Sequence, residues 1–288
     1  MQVRRLHDPD EFAREAQDLL VADEARHNLL FGLVGTLRDH PATYPAFDLW
    51  LVEDGGTVVG AALQTPPHNL VLAKPSGADV LAALVEAIAA SGILLPGVSG
   101  ARPEADEFAD LWVARMAGSW RAGVEMGVYE LRSVLPTTPA SGGARLATPD
   151  EAELIVRMVE TFLDEAADQI TRDPVGTRRT IESRLGSAPD EGGFWIWEDA
   201  GEVVCISGHG GRTPNGIRIG PVYTPPERRG RGYATSLVAE QSAWLLEHGH
   251  RFCFLYTDLA NPTSNGIYRR IGYRQVCDAG YLVFEPAA

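Results

Sequence analysis

Lysine is nearly missing from this 288-residue chain: Lys74 is the only one among 25 basic residues. That arginine-for-lysine bias carries no functional reading by itself. Positive charge is short overall, with 25 basic against 39 acidic side chains and a net charge of −14. Such a surface repels polyanions and excludes general nucleic-acid binding. Cysteine is scarce and odd in number. Cys205, Cys253 and Cys277 lie far apart in apolar, strand-like contexts. Neither zinc-ligand spacing nor a disulfide framework is present, and no metal site is expected. Each reads more readily as a buried core thiol than as a reactive one. No apolar run approaches the roughly 20 residues that span a bilayer, so no membrane partner is expected. Met1 to Asp8 has no apolar stretch behind its charges. A secretory signal is therefore not expected there, and a reducing cytoplasm is the expected compartment.

What is present is a globular composition. Hydrophobic residues make up 45% of the chain, enough to bury a full core. The length suggests two domains. The best boundary is Ser133 to Gly143, rich in proline, threonine, serine and glycine. The expected organisation is a first domain at 1–135, a linker at 136–143 and a second domain at 144–288. Residues 1–135 hold 10 basic and 19 acidic side chains, and the remainder 15 and 20. The second part is less acidic because arginines cluster in one place.

Hydrophobic periodicity predicts helices within residues 8–40, with Phe12, Ala16, Leu19 and Leu20 on one face and Leu29, Leu30, Leu33 and Leu37 on another. A hairpin follows from Leu49 to Leu63 around Glu53-Asp54-Gly55-Gly56, then a strand at 68–73, helices at 79–90 and 104–116, and a strand at 124–132. After the linker the order returns. A short strand at 145–147 leads into a helix that Thr148 caps, with Pro149 at its first position. A second helix spans 175–185, and a hairpin turns at Asp199 to Glu202. Then come a strand at 217–224, a helix from Tyr233 to His248, a strand at 252–257, a short helix at 262–271, and two end strands around Asp278-Ala279-Gly280.

One stretch stands out: Arg228, Arg229, Gly230, Arg231, Gly232, Tyr233, Ala234 and Thr235, between a strand and a helix. Two glycines let the backbone approach a ligand and turn several N–H groups one way. The helix adds its unpaired N–H groups and the positive end of its dipole. That is an anion site, and pyrophosphate is a common occupant. A Walker loop is excluded, because no Gly-Lys-Ser/Thr follows. Gly230-x-Gly232-x-x-Thr235 nearly fits a dinucleotide fingerprint, with Asp258 where a ribose acid would sit. Only about fifty residues remain after it, too few for the βα units that fold requires.

The pattern Arg229-x-x-Gly232-x-Ala234 resembles the [Gln/Arg]-x-x-Gly-x-[Gly/Ala] signature of the GNAT acyl-CoA N-acyltransferases. Two further motifs agree over about 140 residues. The strand Ile217 to Thr224 carries Gly220-Pro221, which breaks a sheet ladder. In that family the matching strand bulges and splays, and the pantetheine arm pairs with its freed backbone at the positions of Val222, Tyr223 and Thr224. Asn261-Pro262-Thr263-Ser264-Asn265 through Tyr268 and Gly272-Tyr273 resembles the family's C-terminal Asn-x-x-Ser/Ala-x-x-x-Tyr motif. Asn261 would cap a helix and bond the pantetheine arm, with Ser264 and Asn265 near the cofactor. The resemblance implies tandem GNAT folds of mixed α/β (α+β) type, each a mostly antiparallel sheet flanked by helices. The first copy would be degenerate, because its equivalent loop, Ala73 to Ala78, lacks the double glycine and the arginines.

It also implies acetyl-CoA as cosubstrate and direct attack of a small-molecule or peptide amine in a ternary complex. That chemistry needs alignment of the reactants, charge stabilisation at the carbonyl oxygen, and a proton for the departing thiolate. A strand N–H near Val222 or Tyr223 would serve the oxygen, and Tyr268 matches the family's general acid. No residue is marked as the base; His209 reads first as a core histidine. Asp164, Glu165 and Asp168 could attract a cationic amine but read first as a solvated helix end. The alternative function is a non-catalytic acyl-CoA-binding or interaction protein on the same scaffold. The acceptor and the oligomeric state stay open.

Overall fold

The computed structural model describes residues 1–165 and 173–286. It divides into two compact units: Met1–Val128 with Val276–Ala288, and Tyr129–Gln275. The chain thus passes between units at residues 128–129 and again at 275–276, so its final strand belongs to the first unit rather than to the segment starting at 144.

The first unit begins with β1 (Gln2–Leu6), α1 (Pro9–Val21) and α2 (Asn28–Asp39). Then follow β2 (Asp48–Asp54), β3 (Thr57–Gln64), β4 (Leu70–Leu72), α3 (Val80–Ala90), β5 (Gly97–Ala101), α4 (Glu104–Met116) and β6 (Gly118–Leu131). Two strands were not visible to periodicity. In β1 the two arginines hide the pattern, and Arg4 is drawn into ion pairs with Glu11, Glu15 and Glu53. β5, Gly-Val-Ser-Gly-Ala, has too few apolar residues to signal.

The second unit holds β7 (Gly143–Leu146), a 3-10 turn at Pro149–Glu151, α5 (Ala152–Glu165), α6 (Pro174–Leu185), β8 (Gly193–Asp199), β9 (Glu202–Gly210), β10 (Gly216–Tyr223), α7 (Tyr233–Glu247), β11 (Phe252–Asp258) and α8 (Pro262–Ile271). The last strand, β12 (Arg274–Pro286), is continuous. The expected turn at Asp278-Ala279-Gly280 is absent, because Ala279 to Val283 pair in register with Ala101 to Gly97 of β5.

The two units repeat one topology. In the first, β1-β2-β3-β4-β5 are neighbours in that order, followed by β12 and β6. In the second, β7-β8-β9-β10-β11 are neighbours in the same succession. Each series is antiparallel until its last pair, β4–β5 or β10–β11, which is parallel. Each first hairpin has a register shift at the same place, Val52/Glu53 and Trp197/Glu198.

Alternation along the strands builds the cores. Leu49 and Leu51 face a cluster with Phe12, Leu20 and Leu30 of α1 and α2. Trp50 and Val52, between them, face Leu84, Ile88, Phe108 and Trp112 of α3 and α4. Likewise Phe194 and Ile196 meet α5 and α6, while Trp195 and Trp197 meet Tyr233 and Leu237 of α7. Both faces of each sheet are covered, so the strands read as apolar runs. Truncating a side chain such as Ile196, fully buried, costs about 2–5 kcal/mol.

Candidate functional site

The loop after β10 and the start of α7 form one wall of a cleft in the second unit. Gly230 and Gly232 have φ of +79° and +83°, a left-handed conformation that glycine adopts without steric cost. A Cβ on Gly230 would meet nothing within 4 Å, and one on Gly232 only Ala140 at 3.8 Å. The space above the loop is therefore open. Gly232 is the N-cap of α7 and has no side chain to cap it. The helix ladder starts at the Ser236 N–H, which donates to the Gly232 carbonyl. The N–H groups of Tyr233, Ala234 and Thr235 thus lack helix partners and line the cleft.

The cleft has a volume of about 810 Å³. Val222, Tyr223, Thr224, Arg229, Gly230 and Arg231 border it, and Asn261, Ser264 and Tyr268 of α8 face them. The strand between is built to open. Ile219 pairs with His209 but Val222 with Ser207, so β10 carries one extra residue. Gly220, at φ +134°, sits in that bulge. Parallel pairing with β11 runs only from Gly216 to Arg218. Beyond it β10 and β11 offer backbone that is not paired with each other.

Individual side chains take distinct places. Arg229 donates from Nε to the Thr224 carbonyl (2.9 Å) and from Nη2 to Glu165 (2.6 Å), and stacks over the Tyr223 ring. Tyr223 also donates to Glu165 (3.0 Å). Arg228 pairs with Glu202. Arg231 is exposed, with Asp199 as a nearby acid. Tyr233 borders the cleft, while its ring is buried in the core and its hydroxyl donates to Asp199. Thr224 donates to the Cys205 sulfur at 3.1 Å. Burial pushes the Cys205 thiol up to about 12, which keeps it neutral.

α8 begins as its sequence requires. The Asn261 side-chain oxygen accepts from the Ser264 N–H (3.1 Å), with Pro262 next. Ser264 and Tyr268, one turn apart, both line the cleft. Tyr268 is only 9% exposed. Burial raises its phenol above the usual value, so it stays protonated at neutral pH. Asn265 departs from the expected place. It is buried, and its amide donates to the Asp258 and Leu259 carbonyls, holding the turn before α8 instead of lining the cleft.

His209 is not a base. It is fully buried, its Nε2 donates to the Pro189 carbonyl (2.8 Å) and its Nδ1 accepts from Gln241. Burial pushes its pKa down to about 4. Of the three acids near the end of α5, Glu165 is tied to Arg229 and Tyr223, Asp164 is exposed, and Asp168 lies outside the described residues. Sequence reasoning missed Pro136, Thr137 and Thr138, which line the cleft despite reading as linker. Leu135, just before them, donates its N–H to the Ile271 carbonyl (2.7 Å) and anchors the segment beside α8. Phe162 and Arg270 were also missed as cleft residues. Their helical periodicity signalled only a core face and a helix end.

The equivalent loop of the first unit is built differently. In its loop the Ala73 and Ser76 N–H groups donate back to β3, and the Lys74 N–H donates to His27. Asp79 is the N-cap of α3, again without a side-chain cap bond, but the loop before it has neither the double glycine nor the arginines.

Residues 157–273 match the acetyltransferase (GNAT) family. No curated protein matches the chain. Among solved structures, a Drosophila protein superposes with a TM-score of 0.67 at 13% identity, covering 99% of each chain. A tandem GNAT protein from the clavulanic acid biosynthesis pathway gives 0.61 at 16% identity, and a GNAT-family acetyltransferase from Colwellia psychrerythraea gives 0.59 at 12%, each covering 100% of both chains. At these identities the likeness concerns the fold. Together with the repeated topology, it gives this chain a tandem GNAT-like fold, with the match to the GNAT family confined to residues 157–273.

Proposed function

We propose that the second unit is an acyl-CoA-dependent N-acyltransferase that moves an acetyl group from acetyl-CoA to a primary amine of a small molecule or peptide. The observation that carries this reading is the uncapped, glycine-flanked start of α7 opening onto the 810 Å³ cleft beside a splayed strand. The residues fit acetyl-CoA. The N–H groups of Tyr233 to Thr235, with Arg231, would hold its pyrophosphate. The backbone of Val222 to Thr224 and the side-chain amide of Asn261 would hold its pantetheine arm. When bound, acetyl-CoA supplies an activated thioester carbonyl.

The chain's own residues then orient, donate and exclude water. A backbone N–H at Val222 or Tyr223, fixed by the sheet, would stabilise charge on the carbonyl oxygen without reorganising. Tyr268, protonated and shielded, would hold a proton ready for the leaving sulfur. Glu165 would leave Arg229 or share it when phosphate arrives. Three buried free thiols are compatible with a reducing cytoplasm. Among the described residues no helix is long and apolar enough to cross a membrane.

The rival reading, a non-catalytic acyl-CoA-binding protein, is favoured by the depth of Tyr268 and by the Glu165 carboxylate on the phosphate loop. Acceptor-dependent release of free CoA thiol across an amine panel separates the two. Release with at least one amine is the expected result; tight CoA binding with no release from any acceptor selects the rival.

A further inference from the structure

Arg184 lies at the end of α6. It is half-buried, and its Nη1 donates to the Gly220 carbonyl at 3.0 Å, in the bulge of β10. Among the described residues no carboxylate neutralises it, and another arginine, Arg218, lies close enough to act on its charge. The two guanidinium groups reach adjacent positions at the end of β9. A Cβ on Gly210 would lie 3.0 Å from Arg184 Nε, and one on Gly211 would lie 3.3 Å from Arg218 Nη2. Gly210 is also the register partner of Arg218 across β9 and β10. Burial and the Arg218 charge press the Arg184 pKa down to about 9, so it stays cationic at neutral pH.

A carbonyl freed by a bulge needs one donor, and a guanidinium offers five. A structural role alone would be met by an amide, without placing a charge in a half-buried site where no described acid meets it, which is costly. Position supplies the function. Gly220 lies two residues before Val222, at most about 7 Å along the chain, and Val222 is where the thioester is read to sit. An acceptor whose amine reaches the thioester would therefore bring a group one or two carbons away to Arg184. One charge-assisted hydrogen bond of about 2.8 Å completes that distance.

We propose that Arg184, supported by the charge of Arg218, determines acceptor specificity by binding a carboxylate on the acceptor, so that the acceptor is an amino acid or a similar amine bearing a nearby carboxylate. Arg218 keeps contacts of its own and serves here as charge. The inference rests on the acyl-transfer reading for the amine end, and on Arg184 for the anion end.

Two measurements test it. In the first, the protein is saturated with CoA, so that the phosphate loop is filled, and its Tm is followed against sodium succinate, with sodium chloride at matched ionic strength as reference. A succinate-specific rise is expected in the wild type, lost in Arg184→Gln and weakened in Arg218→Gln, which leaves Arg184 in place should the first variant not fold. In the second, kcat/KM is compared for glycine and β-alanine against glycinamide and β-alaninamide. The acids are expected at least tenfold above their amides in the wild type, with the ratio collapsing towards one in Arg184→Gln, mainly through KM. No succinate-specific rise, a rise unchanged in both variants, or amides used as well as acids overturns the proposal. An Arg184-dependent rise with no turnover of any amine leaves the anion site standing and overturns acyl transfer instead.

Discussion

At the scale of single residues, the cleft is decided by what has no side chain and by what is tied down. Gly232 combines positive φ with open space above it, so a branched side chain there both strains the loop and fills the approach to the backbone. Gly232→Val is expected to weaken acetyl-CoA binding at least tenfold, about 1.4 kcal/mol, by calorimetry on protein whose circular dichroism is unchanged. Glu165 acts in the opposite sense. Its carboxylate holds Arg229 at 2.6 Å on the surface, where such pairs are worth about 0.2–1 kcal/mol. Glu165→Gln should therefore raise CoA affinity up to about fivefold, and added salt should shrink the gain; a loss of affinity would show that Glu165 helps to build the loop. Tyr268→Phe keeps the ring packed 5.8 Å from Tyr273 and removes only the proton donor. A fall in kcat of roughly 10- to 10³-fold with CoA affinity nearly unchanged is expected. Wild-type kcat across the pH range would remove Tyr268 from the mechanism.

At the scale of elements, a buried polar network joins β9 to α7 behind the cleft. Ser207 donates to the Gln241 side-chain oxygen, and Gln241 donates to His209. The network accepts only neutral histidine. The folded pKa of His209, about 4, lies below its ordinary value of 6.5. Its contribution is thus fully present above pH 6.5 and is lost as pH falls towards 4. His27, in the first unit, shifts in the same direction, chiefly by burial. Calorimetry is expected to show Tm falling through that window, with up to about 3 kcal/mol attributable to His209. A flatter profile is expected in His209→Gln, and an identical slope in the variant would assign the acid sensitivity elsewhere. The start of α5 shows a local rule holding without tertiary help. Thr148 and Glu151 form the capping box, while Arg145 holds the Glu151 carboxyl down to about 2.

At the scale of the whole molecule, one fold is used twice and only the second copy carries the double-glycine, arginine-rich loop. The first unit's loop turns its N–H donors back onto β3 and His27, so a titration should reach one acyl-CoA per chain. Two equivalents would mean that the first loop opens. The unit boundaries matter for dissection. Because residues from Val276 onward belong with the first unit, a fragment starting at residue 144 carries a strand whose partner β5 is missing.

Local chemistry determined a good deal. Alternating Leu49-Trp50-Leu51-Val52 marks a strand buried on both faces, Thr148-Pro149 and Asn261-Pro262 mark helix starts, and Arg229 to Ala234 marks an anion loop, because capping, periodicity and glycine conformation act within a few residues. Most of the second unit was legible for that reason. Pairing between distant segments was not. β5 is recognisable only once β4 and β12 flank it, and β12 looked like two strands because Gly280 reads as a turn until Gly100 lies opposite. The same holds at the cleft. Glu165 meeting Arg229, Pro136 to Thr138 lying beside α8, and Asn265 turning inward depend on contacts between residues far apart in sequence. Such contacts leave no periodic trace in the chain, so only the tertiary structure decided which polar groups face the cleft and which are spent holding it together.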